Sequence, residues 1–141
     1  MKRTLFGIAL LAVAAGAFLL MQPPDTQTTD APLAGDAMVA VQIPASFTEQ
    51  EQMGQRAFDA ACASCHGTNA RGRQDIAPPL VHKIYEPSHH GDASFLLAAQ
   101  NGVRAHHWRF GDMPPVSGVT RAEVMDIVAY IRALQRENGI N

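Results

Sequence analysis

Cysteine is almost missing from this chain. It occurs twice in 141 residues, and both copies fall in one stretch, Cys62-Ala63-Ser64-Cys65-His66. No cysteine stands near the N-terminus, so a lipid-modified leading cysteine is excluded. An excess of positive charge is missing too. The chain has 11 Lys and Arg, but Lys2 and Arg3 stand at its very start, which leaves 9 basic against 13 acidic residues beyond them. Nucleic-acid surfaces need clustered cations, and none is expected here as a partner. Internal repeats are absent. Between Gly67 and Leu80 there is no strand alternation, only turn residues: Gly67, Asn69, Gly72 and Ala77-Pro78-Pro79-Leu80. These absences leave one small, all-α domain with long loops. A domain of that size buries only a modest core by itself.

The N-terminus does hold a long apolar run. Lys2 and Arg3 precede Leu5 to Met21, which carries no charge. Ala15-Gly16-Ala17 would suit cleavage of a secretory signal. Phe18-Leu19-Leu20-Met21 continue the apolar run beyond that site, which favours an uncleaved anchor of roughly 25 Å. Either way the cationic end stays in the cytoplasm and the rest lies outside, on the periplasmic side of the cytoplasmic membrane. The expected organisation is a signal peptide or membrane anchor over 1–21, a flexible linker rich in Pro, Thr and Asp over 22–45, and a packed domain over 46–141.

Three helices are expected in that domain. Thr48 and Glu51 form a capping box for the first. Gly54, Ala57, Phe58 and Ala61 share one of its faces, and it leads straight into Cys62. A shorter helix covers about Ala93 to Gln100. A second capping box, Thr120 with Glu123, opens the last, whose stripe is Val124, Ile127, Val128, Ile131 and Leu134. Arg132 and Arg136 suit the negative end of its dipole.

A Cys-x-x-Cys-His run is an attachment signature for one covalent haem c: each thiol forms a thioether to a vinyl group, and His66 meets the iron from one face. Met113, in Gly111-Asp112-Met113-Pro114-Pro115, is the only methionine in a loop of the domain. Its thioether is the candidate second ligand, stiffened by the two prolines behind it. His66 and Met113 together fill both axial positions and point to one-electron transfer rather than catalysis. Trp108, Arg109 and Arg104 are candidate donors to haem propionates.

With these features the sequence resembles the class I c-type cytochromes over about Gln50 to Gln135. The resemblance rests on Gly54 and Phe58 before the motif, Pro78 and Leu80 after it, Met113-Pro114-Pro115, and Tyr130. It implies contact of Gly54 and Phe58 with Tyr130 and Leu134. It also implies a bond from His66 Nδ1–H to the Pro78 carbonyl, although Ala77 stands where the family usually has Gly. The implied function is an electron carrier between protein redox partners, with no enzyme activity and no small-molecule substrate.

Five histidines fall outside the motif: His82, His89, His90, His106 and His107. They read as loop residues that bond to backbone or propionates, or as a partner surface; His106 or His107 could compete with Met113 for the iron, and His89 and His90 with His106 and His107 could form a second metal site, for which imidazole suits copper and zinc. The rival functions are a haem sensor or enzyme with an open iron site, a copper-handling protein, and a thiol–disulfide oxidoreductase. The last needs a strand before the motif, where this chain has a helical pattern.

Overall fold

The computed structural model describes residues 34–141. The expected signal or anchor segment and the first part of the linker lie outside the described residues. Among the described residues no helix is long and apolar enough to cross a membrane. They form helices and loops, with no strand beyond three isolated antiparallel bridges: Ala37–Arg73, Arg73–Ala77 and Val103–Met113.

Helix α1 spans Glu49–Ala61, and its capping box is reciprocal: Glu51 N–H donates to Thr48 Oγ1, and Thr48 N–H donates to the Glu51 carboxylate. It leads straight into Cys62, as expected. Cys62 leaves helical geometry (φ −120°, ψ −33°), and a single turn, α2, resumes over Ala63–His66. Helix α3 spans Asp92–Asn101. Helix α4, Arg121–Glu137, starts at the second capping box. Short 3₁₀ turns cover Thr68–Ala70 and Lys83–Tyr85.

The core forms where α1 meets α4. Phe58, Tyr130 and Leu134 are fully buried, each worth about 1.5–3 kcal/mol of apolar transfer. The Phe58 and Tyr130 rings lie 5.7 Å apart, and Phe47 packs edge-on against Tyr130 at 5.4 Å. Gly54 differs from the expectation. It abuts the Asp126–Ile127 backbone, and a Cβ there would sit 1.9 Å from the Asp126 carbonyl oxygen. Gly54 lies one turn before Phe58, so it meets the partner helix one turn before Tyr130.

Two further differences concern polar residues and the domain's edge. Arg132 does not serve the helix dipole; it is 8% exposed, and its guanidinium reaches Asp92 Oδ1 and the Tyr85 carbonyl, each at 2.8 Å, as well as the His90 carbonyl. Gln135 is fully buried, and its amide donates to the carbonyls of Leu80 (2.8 Å) and Tyr85 (3.0 Å). Together they fasten the 80–92 segment to α4, and only Arg136 stays at the helix end, paired with Glu51 at 2.9 Å. The packed region also starts before residue 46. Gly35 N–H donates to the Gln74 carbonyl, Val39 N–H to that of Arg71, and Gln42 exchanges two hydrogen bonds with the Asn138 side chain.

Candidate cofactor site

The site is built on the break at Cys62. The Cys62 carbonyl accepts from the N–H groups of both Cys65 (3.1 Å) and His66 (2.9 Å). This one turn sets positions 62, 65 and 66 at i, i+3 and i+4, on one side. Cys65 is exposed, Cys62 half-buried and His66 buried. The loop after the motif folds back through Gly72 N–H to the His66 carbonyl (2.7 Å) and Leu80 N–H to the Ala70 carbonyl (2.8 Å). Arg73 and Ala77 exchange backbone bonds of 2.9 and 3.1 Å, so the chain turns immediately before Pro78.

That turn presents the Pro78 carbonyl oxygen 2.9 Å from His66 Nδ1. This is the contact the resemblance implies, formed despite Ala77. The carbonyl can only accept, so Nδ1 carries the proton and Nε2 keeps its lone pair. Burial also holds His66 below its ordinary pKa, partly offset by the Pro78 bond. A neutral, oriented imidazole is what a metal ligand requires.

His66 opens onto a cavity of about 700 Å³ that Cys62, Cys65, Pro78 and Leu80 also line, within the roughly 300–1,000 Å³ range of cofactor sites. Phe58, Ile127 and Ile131 wall it from the helix crossing, and Phe95 and Leu97 from α3. Met113 lines it from the 103–118 loop. Reciprocal backbone bonds of 2.9 Å with Val103 pin Met113 in place. Gly102, just before, has φ +74°, and a Cβ there would lie 2.4 Å from the Met113 carbonyl oxygen.

Trp108 lines the same cavity, but its Nε1–H donates to Tyr85 Oη at 3.1 Å. Arg109 and Arg104 are exposed, and neither is on the cavity wall. The structure thus brings Cys62, Cys65, His66, Pro78, Leu80, Trp108 and Met113 to one cavity and leaves Arg109 outside. The sequence reading missed Arg132 and Gln135, which fix the 80–92 rim. One signal was present: Gln135 occupies a position of the apolar stripe, four residues after Ile131.

Burial, and then the neighbouring Cys65, push the Cys62 thiol up to about 11. Dithiol redox motifs need the opposite, a lowered thiol, and here a helix precedes the motif. The thiol–disulfide reading is therefore dropped. His107 is held below its ordinary value by desolvation and then by His106, His90 and His89.

A neutral imidazole, a thioether, two thiols and apolar walls fit a metalloporphyrin held by thioether bonds. A search of curated proteins finds no match for the chain. The family model described as Cytochrome c matches residues 51–135, more than half of the chain.

Proposed function

Because the chain belongs to the cytochrome c family, with covalently bound haem c and haem-based electron transfer, we propose that it carries single electrons between protein partners outside the cytoplasmic membrane. His66 and Met113 would hold the iron in this reading. The observation that carries it is the bond between His66 Nδ1 and the Pro78 carbonyl, which leaves Nε2 as the ligating nitrogen on a wall of the cavity that Met113 also lines.

Haem c supplies the one-electron couple. The protein's residues set its conditions. Cys62 and Cys65 tether the macrocycle and are consumed as thioethers. Pro78 holds the His66 ring and its tautomer. The Met113 sulfur is a soft, neutral ligand that favours the reduced iron and raises the potential. Phe58, Ile127 and Ile131 keep water from the buried side. Held by both His66 and Met113, a haem iron would have no open position for substrate, which would suit a carrier rather than a sensor or oxidase.

Met113→Ala tests the ligand. The expected result is a lower reduction potential and loss of the long-wavelength sulfur–iron absorption band, with haem still covalently attached. An unchanged band and potential would remove Met113 from the iron. The location rests on Lys2, Arg3 and the uncharged run from Leu5 to Met21. Mass spectrometry of the mature N-terminus tests the anchor, and a start near Phe18 would rule it out.

A further inference from the structure

We infer that His89, His90 and His107 form a second metal site, for Zn²⁺ or Cu²⁺, at the rim of the haem cavity. His89 and His90 come from the turn after Glu86, whose carbonyl accepts from both their N–H groups (3.0 and 2.8 Å). His107 comes from the loop that carries Met113. The chain brings the two segments together so that each histidine offers a ring nitrogen within 4.8 Å of the others'. Ring centroids are 4.6 Å apart for His89–His90, 5.4 Å for His89–His107 and 5.3 Å for His90–His107. Tetrahedral Zn–N bonds of about 2.0–2.1 Å need nitrogens about 3.3 Å apart. His89 and His107 are exposed, so small side-chain rotations close the difference.

His90 is already set as a ligand. Its Nδ1 lies 2.7 Å from the Ile84 carbonyl, which assigns that proton and leaves Nε2 as the donor atom. Metal-bound histidines carry this second hydrogen bond almost without exception. Its backbone is fixed as well, since the buried Arg132 guanidinium holds the His90 carbonyl. The donor set names the ion class. Three neutral imidazoles, with no carboxylate or thiolate among them, suit Cu²⁺ and Zn²⁺ and not Ca²⁺ or Mg²⁺. Three protein ligands also leave a fourth position for water or a small anion.

The site adds a metal tie between two segments already joined by the Trp108 Nε1–H bond to Tyr85 Oη. His90 and His107 both line the haem cavity, so an ion there braces the Met113 loop against the segment held by Arg132 and Gln135. Binding to the folded state alone raises its stability by mass action.

The test is a titration of the haem-loaded full chain with ZnCl₂ and, separately, CuCl₂, followed by calorimetry and thermal unfolding. One equivalent per chain is expected, with a higher Tm and, for Cu²⁺, nitrogen couplings in the electron paramagnetic resonance spectrum. His89→Ala and His107→Ala remove exposed ligands without touching the core. Each should weaken binding by no less than the roughly 10–100-fold that loss of a ligand's hydrogen-bond partner costs. His106→Ala should leave affinity within a few-fold, although its ring lies 4.3 Å from that of His107. The proposal is overturned by absence of a one-equivalent site, by affinity unchanged in His89→Ala and His107→Ala, or by an equal loss in His106→Ala. Haem absorbance, read in the same samples, reports the iron site independently.

Discussion

The two walls of the cavity are made differently. The Cys62–His66 wall is backed by the crossing of α1 and α4, where Phe58, Tyr130 and Leu134 are fully buried. Every turn behind His66 is closed by backbone hydrogen bonds, down to the Pro78 carbonyl. The opposite wall is the 103–118 loop, which has no buried residue. Its regular structure is one bridge, Val103 to Met113, helped by Ala105 N–H on Asp112 Oδ1 and Val116 N–H on the Ala99 carbonyl. The attachment side is part of the domain's core, while the Met113 side is a surface loop leaning on the cavity. Disturbing the first should cost the fold, and disturbing the second should cost the iron ligand alone.

Two glycines test that division directly, because each lies against a backbone carbonyl, one locked in the helix crossing and the other on a surface loop that can shift. Gly54→Ala forces a Cβ into the Asp126 carbonyl at the helix crossing. We expect a loss of at least about 4 kcal/mol in denaturant unfolding, since neither backbone can yield by a rotamer change. A loss under about 1 kcal/mol would break the comparison at its stronger end. The second test uses pH. Burial, with Asp59 adding to it, pushes the Tyr130 phenol up to about 12, and its hydroxyl donates to Asn69 Oδ1 at 3.0 Å. The folded value lies above the unfolded one of about 10. The contribution is therefore complete below pH 10 and is lost as pH rises toward 12, by about 2–3 kcal/mol in all. Chemical denaturation across that window measures it, and Tyr130→Phe should flatten the decline. A decline just as steep in the Phe variant would assign it elsewhere.

The smallest effect on stability is expected from Gly102→Ala, at about 1–2 kcal/mol, from its left-handed φ and the close Met113 carbonyl. Its spectrum should change more than its stability, with the sulfur–iron band weakened while helical circular dichroism stays level. Unfolding as severe as that of Gly54→Ala would show that the two walls are a single unit.

What could be read in the sequence follows the same line. Both capping boxes, the apolar stripe of α4 and the Cys62–His66 motif are local patterns, and each was legible from neighbours a few residues apart. Arg132 and Gln135 were not. Their partners, Leu80, Tyr85, His90 and Asp92, lie on a distant segment, and a helix pattern says nothing of which loop will cover it. Arg132 therefore looked like a helix-end cation. The separate turn over Ala63–His66 is not encoded by any pattern in Phe58 to His66, which contains no helix breaker. Trp108 was placed near the cofactor, but its N–H is committed to Tyr85. The histidine clusters were visible as a surplus. That three of them meet depends on two loops converging, which spacing alone does not encode.

The crossing of α1 with α4 also ties the attachment motif to the far end of the domain. Phe58 of α1 is fully buried against Tyr130 of α4, so neither helix covers its apolar face without the other. Cys62 is half-buried beside that crossing, and burial, then the neighbouring Cys65, pushes its thiol up to about 11. The last helix therefore shapes the surroundings of a cysteine that lies in the first half of the chain.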